Sequence, residues 1–302
     1  MHAPVALFVY NRPWHTQQTV EALLKNAEAV DSDLIVFSDG AKDEASREKV
    51  DEVRQYIHSI KGFKSIRIVE REENLGLAQS IISGVTEVVN EHGRVIVLED
   101  DMVTSPYFLK YMNDALILYE NDDRVISIHG YNYPIEEPLP AAFFLKGADC
   151  WGWATWKRGW DLFEADGRKL LAELTQRNLV DRFDFFGGFD YSGMLKAQIE
   201  GRNDSWAVRW YASALLHDKL TLYPGKSLVH NTGNDASGRH CGAIRVFDSD
   251  LSLDPVSVGG IEVEENSDVL MAVSRFLRQA KPNIPARIRN KVKRTVRSLV
   301  SK

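Results

Sequence analysis

Apolar residues fall in short blocks along the first hundred positions, and the blocks alternate between two periods. Residues 5–10 form an apolar run closed by Asn11-Arg12-Pro13. This predicts a strand running into a helix, because proline suits a helix's first turn. Val20, Leu23, Leu24 and Ala27 then recur at helical spacing. Residues 34–37 predict a second strand, ended by Ser38-Asp39-Gly40. A charged helix over about 43–60 follows, with Val50, Val53 and Ile57 on its buried face. Residues 66–69 predict a third strand, after which Asn74-Leu75-Gly76 turns into a helix carrying Leu77, Ile81, Val85 and Val88. Strands that alternate with helices imply an α/β fold with a parallel, Rossmann-like sheet flanked by helices.

The fourth strand carries the most information. Val95 to Leu98 are apolar without polar alternation, as in a strand buried on both faces, and they run directly into Glu99, Asp100 and Asp101. Ligands of open α/β sheets bind beyond the carboxyl ends of the strands. Carboxylates there are hard oxygen ligands for Mg²⁺ or Mn²⁺, which commonly also grip substrate phosphates. The other strands end alike, in Asn11 and Arg12, in Asp39, and in Glu72, Glu73 and Asn74. Four polar endings on one edge predict a binding cleft. No Gly-x-Gly-x-x-Gly follows the first strand and no Gly-Lys-Ser/Thr is present, so neither a dinucleotide fingerprint nor a P-loop is read.

Alternation loosens after Ile126, and aromatic residues crowd together. Trp151, Trp153, Trp156 and Trp160 are four of the seven tryptophans, and Trp206 and Trp210 sit four apart. Core packing is one reading of this group. A sugar-binding wall is the other, since such rings offer an apolar face and a polar edge.

Composition narrows the options. The chain has 302 residues, 44% of them hydrophobic, and no apolar run approaches the roughly 20 residues of a membrane span. The first residues lack the pattern of a signal peptide, and Cys150 and Cys241 make no metal-ligand spacing, so a reducing cytoplasm is expected. Residues 281–302 hold eight Lys or Arg and no Asp or Glu, which leaves −14 of the net −6 on residues 1–280. An acidic body argues against nucleic acid as a partner. In the tail, Ile288, Val292, Val296 and Leu299 recur at helical spacing among Lys and Arg. That is the pattern of a basic amphipathic helix lying on a membrane surface, here over residues 283–302.

The motifs Val9-Tyr10-Asn11-Arg12-Pro13, Phe37-Ser38-Asp39-Gly40, Asn74-Leu75-Gly76-Leu77 and Leu98-Glu99-Asp100-Asp101, in this order, carry a resemblance. The chain resembles GT-A-fold nucleotide-sugar glycosyltransferases, most of all the family of the N-acetylglucosaminyltransferase that starts N-glycan branching, with its bacterial relatives. The likeness covers residues 4–110 well. It continues loosely through Gly152-Trp153 and Asp204-Ser205-Trp206 to about residue 232.

The resemblance implies roles. Arg12, Asp39 and Asn74 fall where the family binds the nucleotide of a UDP- or dTDP-sugar, Asp39 accepting from the base imide and Arg12 donating to ribose or phosphate. A local ion pair or loop cap is the alternative for Arg12 and Asp39. Glu99 and Asp100 would contact ribose or the donor sugar, and Asp101 would hold the metal. Asp204 is the candidate base, with Asp190 as rival; a helix-capping role is the alternative for Asp204. Apart from the resemblance, the turn-rich stretch 230–240 reads as a mobile loop that could close over the donor, with Arg239 or His240 meeting the diphosphate, or as a structural loop; His230 reads as a metal ligand or as a core histidine. The implied layout has a donor-binding half (1–110), an acceptor-binding and catalytic half (111–245) and an extension (246–302). The implied activity is transfer of a hexosyl or N-acetylhexosaminyl unit to a glycan or lipid-linked acceptor in bacterial surface-polysaccharide assembly, with inversion. A nucleotidyltransferase making nucleotide sugars would need an early Gly-rich loop, which residues 10–16 lack. A non-catalytic sugar-binding module would not need the acidic triplet.

Overall fold

A computed structural model describes residues 2–235 and 245–280. The strands are β1 (Val5–Val9), β2 (Asp33–Ser38), β3 (Ser65–Glu70), β4 (Arg94–Glu99), β5 (Met102–Thr104), β6 (Val125–His129), β7 (Ala142–Lys146), β8 (Trp153–Trp156), β9 (Leu220–Pro224) and β10 (Val229–Asn231). Eight of them form one sheet in the order β3-β2-β1-β4-β8-β6-β9-β7, and β5 pairs with β10 in a small separate ribbon. The first four in that order are parallel. Strand β8 runs antiparallel between β4 and β6, and β7 antiparallel along β9. The remaining strands share one direction, so the sheet is mostly parallel. The expected donor and acceptor halves share it.

The helices are α1 (Pro13–Leu23), α2 (Glu44–Ser59), α3 (Leu77–His92), α4 (Phe108–Leu118), α5 (Lys157–Trp160), α6 (Gly167–Gln176), α7 (Val180–Phe183), α8 (Tyr191–Ile199), α9 (Trp206–Leu216) and α10 (Ser267–Ala280). Alternate residues of each strand face opposite ways. Val5, Leu7 and Val9 of β1 join a core with Val20 and Leu23 of α1, Val53 and Ile57 of α2, and the buried face of α4. Ala6 and Phe8 join the opposite core with α3 and α9. A third cluster packs α6 to α10 against Phe143 and Leu145 of β7.

Local chemistry sets the element ends close to where the sequence places them. Asp43 caps α2, accepting from Ser46 N at 2.9 Å while Ser46 Oγ accepts from Asp43 N. Gly93 ends α3 in the left-handed conformation, φ 77°. Within α3, a Cβ on Gly84 would stand 2.6 Å from the Phe8 ring, so glycine lets the helix lie against the sheet.

The second half differs from expectation. Residues after Ile126 supply four sheet strands that the aromatic crowding hides. Four of the tryptophans are core: Trp153, Trp160, Trp206 and Trp210 are buried, with ring centres 5.3–5.9 Å apart in stacked and tilted pairs. These four rings form no sugar-facing wall. Among the described residues no helix is long and apolar enough to cross a membrane. The predicted basic helix, residues 283–302, lies outside the described residues.

Candidate active site

Four loops meet at the carboxyl edge of β1, β2, β3 and β4. The loop after β2 is tied to the loop after β3 by Asp39. One of its oxygens accepts from Gly40 N and Leu75 N at 3.0 and 2.9 Å, the other from Asn74 Nδ2 and Gly76 N, both at 3.0 Å. Asn74 also donates to Gly40 O at 2.8 Å. Asp39 is 5% exposed, and its four lone-pair directions are spent on the protein. It braces the loops, as the loop-cap alternative anticipates. A Cβ on Gly40 would lie 2.5 Å from the Glu73 backbone, so this close approach requires glycine.

The acidic triplet lies beside this brace. Arg12 reaches from the loop after β1 and donates through Nη2 to Asp100 and, at 2.9 Å, to Asp101 Oδ2. Asp100 is 4% and Asp101 8% exposed. Thr19 of α1 holds the Asp100 carbonyl at 2.8 Å, and Thr232 N holds that of Asp101 at 2.8 Å. Pairing of Asn231 with Met102 brings this second segment over the triplet. Gly233 packs so closely there that a Cβ would meet Asp101 Oδ2 at 2.1 Å.

Three carboxylates thus share one guanidinium. Burial, then Asp101 and Asp100, push the Glu99 carboxyl up to about 8 against the pull of Arg12. Burial likewise lifts Asp100 to about 6, with Arg12 opposing. Burial works against the Arg12 charge, but the two aspartates more than offset it, so Arg12 stands above its ordinary value. Asp101 Oδ1 is buried and has no hydrogen-bond partner among the described residues. An anion-rich edge with an orphaned carboxylate oxygen has the donor chemistry that a divalent cation takes. Among the described residues no three His, Cys, Asp or Glu side chains form a ready-made metal site. Magnesium-like ions commonly need only one or two carboxylates, with phosphate and water completing the shell.

The other sequence candidates lie apart. His230 of β10 is half-buried, and its Nδ1 donates to Ser249 O at 3.3 Å; it joins no acidic cluster. Asp204 has a 64% exposed side chain just before α9, with Arg209 3.8 Å away. Ser205, not Asp204, caps that helix, accepting from Val208 N at 3.2 Å. Asp190 is the cap of α8, accepting from Gly193 N at 2.9 Å. Arg239 lies outside the described residues.

Asp149 escapes the sequence reading. Strand β8 lies between β4 and β6, with Trp153 opposite both Val97 and His129. The residues just before it therefore sit over the carboxyl edge. Asp149 Oδ1 accepts from Cys150 N at 2.8 Å. Burial raises the Cys150 thiol well above its usual value, and the charges of Asp149, Glu99 and Asp101 add to that. Trp151 N donates to the buried His129 Nε2 at 3.1 Å, and the Trp151 ring packs edge-on against Tyr131 at 4.6 Å. Burial depresses the His129 pKa, and Asp149 is the main charge opposing the shift. Asp149, half-buried, thus stands near the acidic edge and close to a buried histidine. The only sequence signal was its place three residues before Gly152, which has φ 65°.

The mostly parallel sheet with helices on both faces and an acidic strand end is the GT-A fold of nucleotide-sugar transferases. Residues 5–189 match the family described as Glycosyl transferase family 2, and the chain belongs to that family. No curated protein matches the chain. Among solved structures, it is similar to the mannosyltransferase PcManGT from Pyrobaculum calidifontis in complex with GDP-Man and Mn²⁺, at 14% identity and TM-score 0.33, over 45% of this chain and 37% of that one. It is similar to S. aureus TarS at 15% identity and TM-score 0.33, over 50% and 25%. Glucosyl-3-phosphoglycerate synthase from Mycobacterium tuberculosis, solved with Mn²⁺ and UDP, matches at 11% identity and TM-score 0.31, over 53% and 58%. The chain spans less than two thirds of each of these three. Likeness at this level says nothing about which residues act.

Proposed function

We propose that this family 2 glycosyltransferase is metal-dependent and inverting. In this reading it moves a hexosyl or N-acetylhexosaminyl unit from a UDP- or dTDP-sugar to a hydroxyl of a glycan or lipid-linked acceptor. The observation that carries the reading is Asp101, whose buried Oδ1 has no hydrogen-bond partner among the described residues, at an edge of three carboxylates and one arginine. Asp101 would hold Mn²⁺ or Mg²⁺, with Glu99 and Asp100 near the ribose or donor sugar; His230 is the more remote candidate ligand. The ion, when bound, would neutralise the departing diphosphate.

The chain's own residues supply the rest. Arg12 keeps Asp100 and Asp101 together and offers donors toward the donor's ribose or phosphate. Asp39 and Asn74 fix the loops against which the nucleotide lies, and Arg239 would approach the diphosphate. Asp204, exposed and engaged among the described residues by Arg209 at 3.8 Å, would accept the acceptor's hydroxyl proton as its oxygen attacks the anomeric carbon. Asp190 is the rival, but its carboxylate is occupied as a helix cap.

The N-acetylglucosaminyltransferase-like motif order supports the finer family reading. Donor binding in residues 1–110, acceptor binding and catalysis in 111–245 and an extension from 246 follow the same layout. A cytoplasmic protein at the inner face of the membrane, acting in bacterial surface-polysaccharide assembly, fits the basic segment 283–302. Membership of a transferase family favours this over nucleotidyl transfer or passive sugar binding. Incubation with a panel of nucleotide sugars, an acceptor panel and Mn²⁺ tests it. Release of nucleoside diphosphate coupled to a glycosylated product, abolished by chelator, is the expected result. Turnover unchanged in excess chelator contradicts the metal role.

A further inference from the structure

In sheet order, the carboxyl edge passes from Asn74 after β3 to Asp39 after β2, Arg12 after β1 and the acidic triplet at the end of β4. Strand β8 enters the sheet at this edge and β6 leaves it here, since Trp153 lies opposite Val97 on one side and His129 on the other. Gly130 N donates to Gly152 O at 2.7 Å, which carries the pairing of β6 and β8 one residue further out. Residues 149–151 and 131–133 therefore continue the edge beyond the triplet. Adjacent strands lie about 4.8 Å apart, so β8 stands one such step from β4 and β6 two.

Asp149 is half-buried, and among the described residues no Lys or Arg pairs with it; Cys150 is its hydrogen-bonding neighbour. The other candidate carboxylates are engaged: Asp39 by four donors, Asp100 and Asp101 by Arg12, Asp190 by α8 and Asp204 by Arg209. The charges of Asp149, Glu99 and Asp101 act together on Cys150, and that of Asp149 acts on Tyr131 and Tyr133 as well. Asp149 is thus near both the triplet and the tyrosines that follow β6. Trp151 is half-buried and held on two sides, its ring centre 4.6 Å from Tyr131 and 6.3 Å from Phe247. Its backbone N–H is fixed by the buried His129. A fixed aromatic ring near an unpaired carboxylate suits a sugar, whose C–H groups need an apolar surface and whose hydroxyls need acceptors.

We propose that Asp149 is a specificity-determining residue of the donor-sugar subsite, accepting from hydroxyls of a neutral hexosyl unit and rejecting a hexuronosyl one. The inference rests on the nucleotide-sugar reading above. With the nucleoside over the loops after β2 and β3 and the diphosphate at the triplet, the sugar lies on the remaining side, over β8 and β6. A sugar that carries a carboxylate would bring a further negative charge beside Asp149 and the three acidic residues, against the one guanidinium of Arg12. Like charges brought together in this way exclude a wrong ligand. A neutral sugar meets no such repulsion and offers hydroxyl donors to the unpaired carboxylate.

The test is calorimetric titration of the full chain with Mn²⁺, using UDP and dTDP alone and linked to glucose, N-acetylglucosamine and glucuronate. Wild type should bind a neutral nucleotide sugar, and the glucuronate about tenfold more weakly. Asp149→Asn keeps an accepting oxygen and removes the charge. It should hold the neutral sugar within about threefold and gain about tenfold for the glucuronate. Asp149→Leu removes both and should lose about tenfold for the neutral sugar. Both variants should bind the bare diphosphate as wild type does, a readout that a merely structural role would not spare. Wild type that binds none of the nucleotide sugars overturns the donor reading, and the inference with it. Wild type that takes the glucuronate as tightly as the neutral sugar, Asp149→Asn with the wild-type preference, or loss of diphosphate binding in both variants overturns the inference alone.

Discussion

The acidic edge and the tryptophan cluster grow from the same strand pair. Val97 of β4 lies opposite Trp153 of β8, two residues before Glu99. Both regions are buried, and both contain polar atoms without partners among the described residues: Asp101 Oδ1 in one, the indole nitrogens of Trp153 and Trp210 in the other. The difference is charge. An orphaned indole N–H costs about 1–3 kcal/mol, and contacts among four large rings offset that. A carboxylate oxygen kept out of water beside two other carboxylates has no such return, and Arg12 supplies only one positive charge. The rings explain themselves as packing. The carboxylates have no such explanation in packing, and the proposed cation would supply one.

Substitutions can break or sharpen this contrast. The largest effect is expected at Asp101. Asp101→Asn should abolish metal-dependent transfer, a loss beyond the roughly 10–100-fold that a metal's outer-shell partners are worth. Its melting temperature should match or exceed wild type, because one of three crowded negative charges is gone. A variant that unfolds would make Asp101 a structural residue and erase the contrast.

Asp204→Asn should cost about 10²–10⁴-fold in turnover, the usual worth of a general base, with donor binding retained. Asp190→Asn should leave α8 nearly as stable, since asparagine caps a helix about as well as aspartate, and should spare turnover. Steady-state rates and donor titrations on the two variants decide between them; the reverse pattern moves the base to Asp190.

Trp210→Ala should lower stability by about 3–5 kcal/mol in denaturant unfolding while sparing activity per folded molecule. Lost activity with intact stability would return the cluster to the binding wall. The smallest effect is at Gly233. A methyl group there meets Asp101 and, at 3.1 Å, Arg12. Gly233→Ala should weaken Mn²⁺-dependent nucleotide binding by about tenfold, the lower range of overpacking costs, as titration calorimetry would read it.

How much was legible in the sequence follows from the same physics. Strands β1 to β4 and helices α1 to α3 were readable to within a residue or two. Their apolar runs end in Pro13, Gly40, Gly76 and Gly93, and each strand feeds a helix. Strands β6 to β9 were not, because β6, β7 and β8 follow one another without the intervening helices that mark the first four. Their apolar faces read as loose aromatics; Trp153-Ala154-Thr155-Trp156 is a strand only because β4 and β6 flank it. The same crossing hides Asp149, a lone carboxylate until β8 carries it to the edge. Asp39 and Arg12 stand at the carboxyl edge where their place after β2 and β1 put them, but their bonding is tertiary. Only the fold reveals that Asp39 spends its oxygens on neighbouring loops while Asp101 leaves one unspent.

Calorimetric titration of UDP and dTDP into wild type and Asp101→Asn, each with and without Mn²⁺, tests the central claim most directly. The account predicts that wild type binds one or both nucleotides far more tightly with Mn²⁺ and that Asp101→Asn loses this enhancement while remaining folded. Equal binding with and without the ion in wild type, or an undiminished Mn²⁺ effect in Asp101→Asn, would contradict it.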